Sequence, residues 1–194
     1  MSPMTLEDIR YIETEFRTLE QLCAGRAERP QDLAGLIETG HLPRPAYVLP
    51  DGRAMFPRDL LALYDDARGA TEVRARFAVR YTAAAAALGE AVTPAKIEEE
   101  WQGYLGGLYG VCLREVTPEN IYRKERLVAR LTAQLADPFP EDPEWRARLR
   151  DEVAALDALE RPFAAWDRER LGGPVSRDRL IAEPRRRYPD VFDG

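Results

Sequence analysis

The stretch Trp101-Gln-Gly-Tyr-Leu-Gly-Gly-Leu-Tyr-Gly-Val-Cys-Leu113 sets four glycines within eight residues of a segment whose apolar residues otherwise recur at helical spacing. Trp101, Tyr104, Leu105, Leu108, Val111 and Cys112 form one stripe, while Gly103, Gly106, Gly107 and Gly110 leave another side without side chains. Each glycine inside a helix costs about 1 kcal/mol relative to alanine, so something must approach that bare backbone closely. Either a neighbouring element or a break between two short helices meets the requirement, or a small ligand touches the backbone. Both alternatives make this part of the chain helical.

Helical signals continue on either side. Residues 71–88 include the run Ala83–Ala87, a strong helix former that specifies little by itself, and Thr93-Pro94 opens the next helix. In Thr117-Pro-Glu-Asn120 a threonine cap, a first-turn proline and an acidic residue at the positive end of the helix dipole start another. Ile121, Val128, Leu131 and Leu135 line its buried side. The proline-rich segment 137–143 connects it to a helix faced by Trp145, Leu149, Val153, Leu156 and Leu159, which Arg161-Pro162 should bend or stop. Ser176, after the turn Gly172-Gly173-Pro174, suits a further helix cap, and the tail after Tyr188 reads as loose.

The first 70 residues are organised differently. A helix over 5–16 is capped by Thr5, Thr18 and Gln21 form a capping box for a short second helix, and Pro30 and Gly40 bracket a third. Pro50-Asp51-Gly52 between two apolar runs signals a hairpin over 47–56, with a helix following from near Pro57. The expected fold is therefore mostly α, with one small β-hairpin. A winged-helix-like module over 1–70 is expected to pack on a multi-helix region over 71–194.

Composition narrows the function. Of 194 residues, 45% are hydrophobic and 32% charged, ordinary for a soluble globular protein. No apolar run approaches a bilayer span and the first residues lack a signal-peptide pattern, so a cytoplasmic protein without membrane contact is expected. The net charge of −6 works against non-specific nucleic-acid binding. Cys23, Cys112 and the lone His41 offer no disulfide framework or ligand cluster, and neither metal nor cofactor is expected. Of the 28 basic residues only Lys96 and Lys124 are lysines; arginine is the better fork for carboxylate, phosphate or sulfate.

Two resemblances follow from these residues. The order of elements from Thr18-Leu-Glu-Gln-Leu through Gly40-His-Leu-Pro-Arg-Pro45 and the hairpin to Asp59-Leu-Leu resembles the winged helix-turn-helix of the MerR and excisionase type. That resemblance implies DNA binding, yet residues 1–70 carry 8 arginines against 12 carboxylates, and Arg29 is the only basic residue of the candidate recognition helix. The stretches Leu42–Gly52, Tyr104–Glu119, Leu159–Phe163 and Gly172–Ile181 resemble those of an uncharacterised bacterial family described as natural-product biosynthesis proteins. The family brings no agreed catalytic residues, so it implies a setting more than a mechanism.

The polar residues point to anion recognition. Residues 161–188 hold 8 arginines against four carboxylates in an otherwise acidic chain, and a helix start flanked by guanidinium groups suits an anion. Arg114, Lys124, Arg168, Arg177 and Ser176 are the candidate ligand-binding side chains, with Gly106 and Gly110 as the close-approach backbone. Tyr109 and Asp51 are the candidate acid and base. Together they suggest a cofactor-independent enzyme or accessory protein for a small anionic, amino-acid-like metabolite. A compatible reaction is lyase- or cyclase-type displacement of an anionic leaving group, as in closing a small nitrogen ring. A partner enzyme or a second copy would be the protein partner. A DNA-binding regulator and a docking adaptor are the alternatives.

Overall fold

The computed structural model describes residues 2–192 and is mostly helical, with one small antiparallel sheet. Helix α1 (Leu6–Glu15) starts at a capping box in which the Thr5 side chain accepts from the Asp8 amide and Asp8 accepts from the Thr5 amide. The helix stops one residue short of the expected Phe16. Thr18 opens α2 (Leu19–Leu22) with its own capping box, and the two residues between Glu15 and that cap extend as β1 (Phe16–Arg17). After α3 (Pro30–Glu38), the strands β2 (Tyr47–Val48) and β3 (Ala54–Pro57) form the expected hairpin. β1 joins its other edge, with Phe16 opposite Pro57, giving the order β1-β3-β2. Because Pro57 belongs to the sheet, α4 begins later than expected and spans Ala62–Ala67.

The remaining helices are α5 (Val73–Ala86), α6 (Pro94–Leu105), α7 (Leu108–Cys112), α8 (Pro118–Ala136), α9 (Pro143–Leu159), α10 (Ala165–Arg170), α11 (Glu183–Arg187) and α12 (Pro189–Phe192). A π turn over Asp178–Ala182 leads into α11, where Pro184 lacks the amide that regular α geometry would use. The tail is not loose through Phe192: Val191 is buried and its carbonyl accepts from Arg150. Asp193 and Gly194 lie outside the described residues.

The glycine stretch is a helix break. α6 ends at Leu105, Gly107 adopts φ +76°, and α7 restarts at Leu108 in a new phase, which leaves Leu108 exposed although it belongs to the sequence stripe. The loop before β2 fills the gap. The Arg44 amide donates to the Leu105 carbonyl at 2.8 Å, and a Cβ on Gly107 would lie 2.5 Å from the Arg44 carbonyl oxygen. A Cβ on Gly110 would meet the Pro57 ring at 2.7 Å. The glycines thus let the sheet and its preceding loop close on the α6–α7 junction.

Burial is continuous across the chain. Phe16, Tyr47, Met55 and Val111 share one apolar cluster, so α7 belongs to the core of the sheet region. Phe77, Tyr81, Trp101, Tyr104 and Tyr122 form an aromatic centre between α5, α6 and α8. Leu131, Trp145, Leu149, Val153 and Ile181 close the far end. Helix α8 packs on both α5 and α9, and that placement creates the groove described next.

Candidate functional site: an arginine-floored groove

Between α5 and α9, over α8, lies a groove of about 680 Å³, within the usual range for small-molecule sites. One wall is Ala83, Ala84, Ala87 and Leu88, and the other is Ala155, Ala158 and Leu159. α8 contributes Glu119, Arg123, Arg126, Leu127 and Arg130 between them, with Arg80 at one end. The helical period explains this grouping: 123, 126, 127 and 130 fall on one face, while Ile121 and Leu131 turn to the core. Small side chains on both walls keep the space open, and Leu88 is half exposed there.

The four guanidinium groups are not equally engaged. Arg80 makes a bidentate pair with Glu119, both bonds 2.8 Å, and donates to Asp66 at 3.0 Å. Burial works against the charge on Glu119, yet the hydrogen bonds from Arg80 and a backbone amide hold its carboxyl below the usual range. Arg126 donates to Glu90 and Glu125 at 3.0 and 3.2 Å, and its buried Nε has no partner among the described residues. Arg130 has one pair, Nε to Glu152 at 3.2 Å. Arg123 is exposed and makes no ion pair among the described residues. Arg123 and Arg130 therefore keep spare cationic donors between the apolar walls.

The residues singled out from sequence fall in several places. Lys124 and Ser176 meet at Glu160, which is fully buried: Lys124 Nζ lies 2.9 Å from Glu160 Oε1, and the Ser176 hydroxyl donates to the same oxygen. Ser176 is therefore spent on a tertiary contact rather than on capping a helix. Burial opposes the charge on Lys124, but the Cys112 thiol and Glu160 beside it hold its pKa above the ordinary lysine value. Burial pushes the Cys112 thiol up, against the pull of Lys124, and its Sγ bonds to the Leu108 and Tyr109 carbonyls. Arg114 is exposed, and its backbone joins the end of α9 through its amide to the Leu159 carbonyl. Arg177 pairs with Asp157 at 2.5 Å and Arg168 with Asp178 at 2.6 Å. These segments do gather round the end of α9, but acidic residues of the chain already take up Lys124, Arg168 and Arg177.

The other candidates lie elsewhere. Tyr109 donates its hydroxyl to buried Glu100, and burial together with that carboxylate raises its pKa far above a phenol's ordinary value. Asp51 sits at the hairpin tip, where the Arg53 backbone and side chain hold its carboxyl low. Gly106 faces carbonyls of its own helix and Gly110 faces Pro57, so protein occupies the space assigned to a ligand. The hollow beside Gly107 and Gly110 measures about 10 Å³, room for roughly one water. Among the described residues no group of histidine, cysteine and acidic side chains could hold a metal ion, and no helix is long and apolar enough to cross a membrane.

Sequence reading passed over the groove residues themselves. Arg123, Arg126 and Arg130 stand at i, i+3 and i+7 of a helix whose boundaries were legible, which was a usable signal. The alanines that face them come from segments tens of residues away.

The sequence model of a family of unknown function, DUF6058, matches residues 73–189, from the first residue of α5 to the first of α12, and so takes in the whole groove. No curated protein matches the chain, and no solved structure does.

Proposed function

The chain belongs to the DUF6058 family of unknown function, and we propose that it binds a small anionic metabolite with an apolar body in the groove between α5 and α9. The single observation that carries this reading is exposed Arg123, without an ion pair among the described residues, lining the groove between two alanine walls. A ligand carboxylate, sulfate or phosphate would meet charge-assisted donors, while its apolar part removes alanine and leucine surface from water. Natural-product biosynthesis is the proposed setting, on the resemblance at 42–52, 104–119, 159–163 and 172–181.

The reading is one of binding. Tyr109 and Asp51 lie off the groove, so displacement of an anionic leaving group there would rest on arginine stabilisation of the departing charge. Calorimetric titration with octanoate tests the proposal, with octyltrimethylammonium and octyl glucoside as the cationic and neutral counterparts. Octanoate should bind alone of the three, and Arg123→Glu should abolish its binding while leaving the melting temperature unchanged. Equal binding of all three, or an unaltered R123E titration, would refute the reading.

A second reading concerns residues 1–70. The order α1-β1-α2-α3-β2-β3 with sheet order β1-β3-β2 supports a winged-helix-like module. Its use is proposed as structural. Arg29 of α3's cap pairs with Asp32, and Arg53 of the hairpin pairs with Glu13 and Asp51, so these basic groups are already matched against phosphate. Retardation of a DNA fragment at low salt that fades as salt rises would favour the regulator alternative instead.

A further inference from the structure

The groove's two least engaged cations stand seven residues apart on α8, with Leu127 and the engaged Arg126 between them. Arg123 has no ion-pair partner among the described residues, and Arg130 has only a single-point pair to Glu152, with its side chain about half exposed. They are seven residues apart on α8, which at 1.5 Å per residue separates their Cα positions by about 10 Å along the helix. Leu127 lies between them on the same face, with Ala155 and Ala158 alongside. Beyond Arg123 the groove ends at Glu119, which Arg80 already holds in a bidentate pair, so the guanidinium with spare donors for a second anionic group lies in the other direction, at Arg130.

We propose that the ligand of this groove is a dianion, with two acidic groups at the ends of an apolar stem that reaches from Arg123 to Arg130. The inference rests on the binding reading given above and narrows it to a class: dicarboxylates, or carboxylates carrying a sulfate or phosphate at the far end. One acidic group sits on Arg123 and the other on the Arg130 Nη donors that the Nε pair with Glu152 leaves free, while the stem lies on Leu127 between the alanine walls. A stem too short to span the two arginines gains from only one of them.

Titrations with octanoate, octanedioate and butanedioate separate the possibilities. Octanedioate is the less apolar of the two eight-carbon acids, so apolar contact alone would make it the weaker ligand. It should instead bind about fivefold more tightly than octanoate at low salt, the scale of one exposed ion pair. Butanedioate should show no such advantage. Arg130→Gln should erase the preference, so that R130Q binds octanedioate no more tightly than octanoate. If octanoate binds and octanedioate binds no better, or R130Q keeps the preference, the dianion inference is overturned and the binding reading stands. If neither acid binds, both are overturned.

Discussion

Replacing Gly107 by alanine tests how the helix break is held. The residue adopts φ +76°, where a side chain costs about 1–2 kcal/mol. Its new Cβ would lie 2.5 Å from the Arg44 carbonyl oxygen, whereas ordinary contact begins at 3.4 Å. The loop cannot retreat freely, because the Arg44 amide is bonded to the Leu105 carbonyl at 2.8 Å. Overpacking against a fixed neighbour costs about 1–3 kcal/mol. The expected loss is thus about 3 kcal/mol, a large share of a domain's net stability, or about 10 °C in melting temperature for a chain of this size. Gly35 is the control: it lies inside α3 with helical φ, and a Cβ added there would have nothing within 4 Å, so Gly35→Ala should stabilise by about 0.5 kcal/mol. Thermal unfolding followed by circular dichroism reads both variants. A G107A melting temperature within 2 °C of the parent, on the order of half a kcal/mol, would refute the close approach.

Three further outcomes are expected. Lys124→Met leaves Glu160 fully buried with Ser176 as its one side-chain donor among the described residues and should cost about 3–5 kcal/mol in denaturant unfolding; a loss below about 1 kcal/mol would show that the pair contributes little. Asp66, which accepts from Arg76 and Arg80, has its pKa lowered to about 2, first by the Arg76 hydrogen bond. Its stabilisation is present above the unfolded aspartate pKa near 4 and is lost as pH falls toward 2, so Asp66→Asn should flatten the acid limb of the melting curve. Lys124 shifts the other way: its raised pKa supplies stability below the unfolded lysine value near 10.4 that disappears as pH rises through the folded one. The alkaline limb should therefore be shallower in K124M, and an unchanged limb would assign the loss to other groups.

Much of the helical architecture could be read from local signals. Thr5, Thr18, Thr93 and Thr117 cap the helices that their neighbouring residues announce, and Arg161-Pro162 follows the end of α9, because caps and breakers act over three or four residues. β1 was not legible, since two residues become a strand only by pairing with Phe56 and Pro57, forty positions away. The same holds for α12, whose place depends on buried Val191 and on Arg150. The glycine stretch could be read as a demand for close approach, but the partner, the Arg44–Pro45 loop with Pro57, is known only from the fold. Basic residues near 168–177 stood out by local count, yet Asp178 and Asp157 neutralise them in space. The groove's arginines form a smaller local excess, Arg123, Lys124, Arg126 and Arg130 against Glu119 and Glu125 within α8, and the alanine walls that make them a site come from other helices.

The proposed site places an anionic ligand with an apolar body over α8. Titrating protein labelled at alanine methyl groups with octanoate, followed by NMR, tests it most directly. Saturable shifts of the Ala83, Ala84, Ala87, Ala155 and Ala158 methyls, lost in R123E, are the predicted result. Methyls that stay fixed while octanoate binds elsewhere, or does not bind, would rule that site out.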